Sequence, residues 1–257
     1  MTPVPVLFSF GRSGGTLVNQ LLGTHPDCVV LSEVNPAACC KPLVDQAVDW
    51  LHLIEPEEFD AFERLTYTEQ IRELQTRASG RKLRLIVRDW PTVNFVPGSS
   101  PDTIPSSVLE QPLYLLTAGI GIIPLVMARR GAHVYMSYRR NFEQFENLDP
   151  QSFSQHYLQY AKAVASYPVV HLERLREDPR RSVAEILGAF DLPLEHIDLM
   201  LQQFSDFRLC TGNNTLRRQT ESSMATIVLA QDNAPDFGDC ADLAAEFSDA
   251  DRLLGYD

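Results

Sequence analysis

The 257-residue chain is short of lysine, has two tryptophans and five cysteines, and lacks an unbroken apolar run long enough to cross a bilayer. Each shortage excludes something. A membrane span needs about 20 apolar residues, and the apolar stretch Leu113 to Ala128 is interrupted by Gly119, Gly121 and Pro124. It reads instead as a short element followed by a buried strand. Cys28, Cys39, Cys40, Cys210 and Cys240 are odd in number and show no paired spacing of the zinc type. The adjacent Cys39 and Cys40 read as free thiols. His25, His52, His133, His156, His171 and His196 make no ligand-spaced cluster, so no metal site is expected. No charged leader precedes the apolar residues at Val4, and the expectation is a reduced, cytoplasmic protein. Positive charge is scarce as well. A formal charge of -12 and a pI near 4.9 oppose non-specific nucleic-acid binding and attachment to an acidic membrane, both of which need a positive field.

What is present is ordinary globular material, 44% hydrophobic and 22% charged, at a length that suits a single α/β domain over residues 1–257. The informative stretch is Phe8-Ser-Phe-Gly-Arg-Ser-Gly-Gly-Thr-Leu17. Val4 to Phe10 reads as a buried strand, Gly11 to Gly15 as a tight turn, and Thr16 to Gly23 as an amphipathic helix. Such a junction aims unpaired backbone N–H groups and a positive helix end at one spot, where a phosphate fits. Ser13 and Thr16 add hydroxyls. The loop is shorter than that of an ATP-binding P-loop and has no lysine, which disfavours a Mg-nucleotide kinase.

With a basic residue ahead of Ser-Gly-x-Thr, this stretch resembles the 5′-phosphosulfate loop of sulfotransferases that use 3′-phosphoadenosine 5′-phosphosulfate (PAPS). A second motif follows in the same order. Ile122 to Ala128 reads as a strand ending in Arg129-Arg130-Gly131, and Ser137 lies eight residues after Arg129 in the helix expected over 132–148. A strand-end guanidinium and a hydroxyl in the next helix can converge on one phosphate. In the family an Arg and a Ser at this spacing hold the 3′-phosphate. The late segment Val170-His-Leu-Glu-Arg-Leu-Arg-Glu-Asp-Pro179 is similar to the family's late strand and helix, and Asp149-Pro150 and Asp178-Pro179 each read as an N-cap followed by an N1 proline.

The resemblance implies a three-layer fold with a central parallel sheet and a P-loop-like turn. It further implies transfer of a sulfuryl group from PAPS to a hydroxyl or amine of a small molecule or peptide, leaving adenosine 3′,5′-bisphosphate and needing no metal. Arg12, Ser13, Gly14, Gly15 and Thr16 would hold the 5′-phosphosulfate, and Arg129 and Ser137 the 3′-phosphate. The polar loop Cys210 to Arg218 stands where a late loop closes over the nucleotide, through Gly212 and Arg217, although a surface turn reads equally well.

Glu33, twenty-one residues beyond Arg12 and just past a second strand (Cys28 to Ser32), matches the catalytic glutamate of the tyrosylprotein-type and related bacterial branch. Two departures from that branch are visible: Gly15 replaces a hydroxyl residue, and no arginine closely follows Glu33. Asp89 is the rival base, at the end of a third strand (Lys82 to Asp89), where small-molecule sulfotransferases carry a histidine. Helices are expected over 42–54, 68–79 and 194–204, and the proline-rich stretch 90–112 reads as an acceptor-binding loop. From Thr220 the sequence is acidic and weakly patterned. Two alternatives remain, a P-loop nucleotide kinase and a non-catalytic module that binds adenosine 3′,5′-bisphosphate.

Overall fold

Six consecutive buried residues, Val4–Ser9, form the central strand β1 of a five-stranded parallel sheet, in a computed structural model that describes residues 2–101, 103–212 and 240–256. Strands β2 (Cys28–Val34), β3 (Arg84–Asp89), β4 (Ile122–Ala128) and β5 (Val169–His171) complete it in the order β2-β3-β1-β4-β5. A parallel sheet covered on both faces explains why β1 is apolar without alternation. Alternate residues still serve opposite faces. Val4, Val6 and Phe8 face one core and Leu7 the other.

The helices described are α1 (Gly15–Gly23), α2 (Leu43–Asp45), α3 (Phe59–Glu63), α4 (Tyr67–Gly80), α5 (Thr92–Phe95), α6 (Glu110–Thr117), α7 (Gly131–Asn141), α8 (Pro150–Val164), α9 (Leu172–Glu177), α10 (Pro179–Ala189), α11 (Ile197–Gln203) and α12 (Cys240–Leu253). Residues of α4, α6, α7, α8 and α12 cover the first face, and those of α1, α10 and α11 the second. The fold is therefore the expected three-layer α/β arrangement around a parallel sheet. Asp149 and Asp178 do cap α8 and α10, accepting from the Ser152 and Arg181 N–H groups at 2.7 and 3.0 Å.

Two boundaries differ from the sequence reading, each for a local reason. The helix expected over 132–148 stops at Asn141, whose side chain donates to the Ser137 carbonyl at 2.7 Å and competes with the backbone. The helix expected over 42–54 is one α turn that widens into a π turn at Gln46–Trp50. Here the Gln46 amide is drawn to β2, accepting from Ser32 N at 2.7 Å and donating to Ser32 O at 2.9 Å. Within the stretch 90–112, read above as an acceptor-binding loop, Thr92–Phe95 forms a short buried helix and α6 begins at Glu110.

The acidic segment after Thr220 contains α12, which packs on α7 and α8. Phe247 enters an aromatic core with Tyr135, Phe153 and Tyr157, at centroid distances of 6.0 to 6.2 Å. Gly131 permits that approach, because a Cβ there would stand 2.5 Å from Phe247 Cδ1. Asp251 Oδ1 accepts from Gly131 N at 2.8 Å and caps α7.

Candidate active site

The strand order reverses direction at β1: the chain runs from β1 outward to β2 on one side and later resumes at β4 on the other. Ligands collect beyond the carboxyl ends of strands at such a switch point. The β1–α1 turn and the β4–α7 turn meet there. Arg12 has a left-handed backbone, φ 69°, as does Gly14, φ 95°. The Arg12 Nε donates to Ser137 Oγ at 2.9 Å, and Arg129 Nη1 donates to the Arg12 carbonyl at 3.3 Å. Two motifs far apart in sequence thus share one corner. Burial lowers the Arg12 pKa from its usual value, and burial aided by Arg176 and Arg12 pushes Arg129 down to about 10. Guanidinia so placed gain when an anion joins them.

The turn between β1 and α1 is closely fitted. Ser13 is fully buried, and its hydroxyl has no partner among the described residues. A Cβ on Gly14 would stand 2.7 Å from Leu172 Cδ1, and one on Gly15 would run into Ser9 Oγ and lie 2.9 Å from Arg88 Nε. The Ser9 side chain, with Arg88 behind it, thus leaves no room for a side chain at Gly15, which accounts for the missing hydroxyl at that position. A late segment covers the turn. Thr16 Oγ1 donates to the Thr211 carbonyl at 3.4 Å, and Gly212, φ 104°, has room for no side chain against Thr16. Arg217 lies outside the described residues.

Beside this cradle, Arg88 is 3% exposed. It donates to Glu33 Oε1 at 2.6 Å and reaches Ser9, Ser32 and Thr16 hydroxyls at 3.3 to 3.4 Å. Simple alternation would put Glu33 on the face of Leu31, away from Arg88. A β-bulge alters this. Leu31 pairs with Val87 but Val34 with Asp89, so β2 holds one extra residue, and Glu33 adopts φ 52°. The Gln46 amide satisfies the backbone of Ser32 inside the bulge. Glu33 also raises the charge-favouring field at Arg12. The Cys40 thiol stands against the same carboxylate, and burial together with Glu33 pushes its pKa up.

Asp89 takes the opposite face. It is fully buried, and Asn35 Nδ2 donates to its Oδ1 at 2.8 Å and to Asn94 Oδ1 at 2.9 Å. Burial, opposed by the Asn35 bond, pushes the Asp89 pKa up to about 8. The two candidate bases are thus separated by the β2 bulge: Glu33 shares the cradle side with Arg88, and Asp89 sits in a polar knot among helices.

No protein-family model matches the chain, and no curated protein matches it either. Solved structures do. The sulfotransferase domain of the Synechococcus PCC 7002 olefin synthase aligns over 96% of this chain and 94% of its own, at TM-score 0.60 and 17% identity. The chain has the sulfotransferase fold. The sulfotransferase domain from the curacin biosynthetic pathway aligns over 100% of this chain and 99% of its own, again at TM-score 0.60, with 12% identity. Within this sulfotransferase fold the corner of Arg12, Arg129 and Ser137 lies at the strand ends, with Glu33 and Arg88 alongside. Sequence reasoning assigned no part to Asn35, Gln46 or Arg176. Arg88 precedes Asp89 at the end of β3, and strand alternation sends the two side chains to opposite faces.

Among the described residues, no helix is long and apolar enough to cross a membrane, and no His, Cys, Asp and Glu side chains cluster to hold a metal ion.

Proposed function

We propose that the chain is a PAPS-dependent sulfotransferase that moves a sulfuryl group to a hydroxyl or amine of a small-molecule or peptide acceptor. The observation that carries this reading is the convergence of Arg12, Arg129 and Ser137 at the switch point of a sulfotransferase fold. The residues present fit the donor: a buried hydroxyl without a partner at Ser13, a turn with no space for side chains at Gly14 and Gly15, and gathered guanidinia. Arg12, Ser13, Gly14, Gly15 and Thr16 would hold the 5′-phosphosulfate, and Arg129 and Ser137 the 3′-phosphate. Gly212 would close the site, together with Arg217.

When bound, PAPS supplies the activated sulfuryl group. The chain's own part is to orient both reactants, to stabilise charge on the departing phosphate, and to hold the acceptor's proton. Arg12 is a permanent cation and stabilises without giving up a proton. Glu33 is the base: Arg88 fixes its Oε1, and the carboxylate lies beside the cradle. Asp89, holding its own proton at neutral pH and buried on the other face, is a poor candidate for that task.

Calorimetry with adenosine 3′,5′-bisphosphate, 5′-AMP and Mg-ATP tests the reading. Micromolar binding of the bisphosphate is expected, weakened roughly 10- to 100-fold in Arg129→Ala through loss of a charge-assisted contact. With an acceptor in hand, Glu33→Gln is expected to lower kcat by about 10²- to 10⁴-fold at unchanged donor affinity, and Asp89→Asn by far less. Preferential binding of Mg-ATP would overturn the proposal in favour of a kinase. Tight bisphosphate binding without turnover on any acceptor would favour a non-catalytic module.

A further inference from the structure

Helix α9 starts directly from β5, whose His171 is paired with Ala128 at the end of β4. Its first turn therefore lies beside the corner that holds Arg129. Contacts on both flanks confirm the placement. Glu173 Oε1 accepts from Arg130 N at 3.5 Å, and Leu172 is the side chain that a Cβ at Gly14 would strike. Leu172, Leu175 and Arg176 fall at i, i+3 and i+4 and share a helical face. Leu172 and Leu175 are buried and Arg176 is half-buried, whereas Arg174 and Glu177 are exposed. Arg176 thus projects one turn along the face that touches the anion turn.

Its electrical setting is unusual. Arg176 is half-buried, burial lowers its pKa, and the charge of Glu173 works against that shift. After burial, Arg176 is the strongest charge acting on Arg129, and Arg12 adds to the same repulsion. Glu173, the carboxylate that acts on both Arg129 and Arg176, is itself engaged by Tyr256 OH at 2.7 Å and by Arg130 N. Arg12 and Arg176, both half-buried, act against the charge of the half-buried Arg129, and a polyanionic ligand offsets that repulsion. A phosphate monoester suits such a set: it carries close to two charges and three acceptor oxygens, enough for two guanidinia and a hydroxyl.

We infer that Arg176 is a further cation of the donor site and that, with Arg129 and Ser137, it sets the preference for a nucleotide bearing a 3′-phosphate. This rests on the sulfotransferase reading above. The experiment is calorimetric titration of the whole protein with adenosine 3′,5′-bisphosphate and with 5′-AMP. Arg176→Gln is expected to weaken the bisphosphate roughly 10- to 30-fold and 5′-AMP less than about 2-fold, as loss of one charge-assisted phosphate contact demands. Arg176→Lys keeps the charge but not the planar fork and should fall between. Arg174→Gln, an exposed change on the same helix, should match wild type. Equal weakening of both nucleotides by Arg176→Gln, or none, overturns the inference while leaving the sulfotransferase reading intact. A wild type that does not prefer the bisphosphate overturns both. If Arg176→Gln does not fold, an unaltered bisphosphate preference in Arg176→Lys together with Arg176→Met overturns it.

Discussion

Two neighbouring residues on β3 show how much one step along a strand changes. Arg88 and Asp89 point to opposite faces, one into the cradle beside Glu33, the other into the knot with Asn35 and Asn94. The buried carboxyl has a measurable consequence. Burial raises its pKa to about 8 in the folded chain, far above the model-peptide value near 3.8. Between those pH values the unfolded chain has released this proton and the folded chain has kept it, so the residue costs stability progressively as pH rises. Asp89→Asn retains an amide oxygen to accept from Asn35 and carries no such cost. Its Tm relative to wild type is therefore expected to climb between pH 5 and pH 8, by up to about 3 °C per pH unit. A difference that stays constant across that range would show that Asp89 is ionised in the fold.

At the scale of elements, the bulge in β2 matters more than any helix boundary. It turns Glu33 toward Arg88, and it leaves the Ser32 N–H and C=O without strand partners, which Gln46 supplies from a π turn. The widened turn and the bulge are thus two sides of one arrangement. Gln46→Ala would strand two buried backbone groups and is expected to cost about 2–4 kcal/mol in urea unfolding. Stability unchanged within 0.5 kcal/mol, on the order of a typical surface substitution, would mean that water replaces the amide. Helix α12 plays a comparable part on the other side of the site. Its Asp251 caps α7, the helix that carries Ser137, and its Phe247 fills the aromatic core behind it.

For the whole molecule, the two hydrophobic cores lie on opposite faces of one sheet and share its strands. The reading of residues 1–257 as a single domain then leads to one cooperative transition, with far-UV circular dichroism and tryptophan fluorescence from Trp50 and Trp90 melting together. Adenosine 3′,5′-bisphosphate at 100 times its Kd is expected to add about 2.7 kcal/mol and to move both signals upward in step. Separate transitions, only one of them sensitive to the nucleotide, would divide the chain into two units.

The layered fold was legible because apolar runs, glycine-rich turns and Asp-Pro caps are local signals, written over a few residues each. Val4 to Phe10, Asp149-Pro150 and Asp178-Pro179 act as their chemistry requires in almost any α/β setting. The loop Arg12 to Thr16 and the pair Arg129 and Ser137 could likewise be marked as phosphate-seeking from residue type and spacing. That these two motifs touch is a property of strand order, since β1 and β4 are neighbours only in the sheet. The choice between Glu33 and Asp89 also lay beyond local pattern. It turns on one extra residue in β2 and on which face each side chain occupies, and a bulge has no signature in sequence until its partner strand is known. Gln46, Asn35, Arg176 and α12 stayed silent for the same reason: each acts on groups distant in the chain, and only the packed sheet and helices bring those groups within reach.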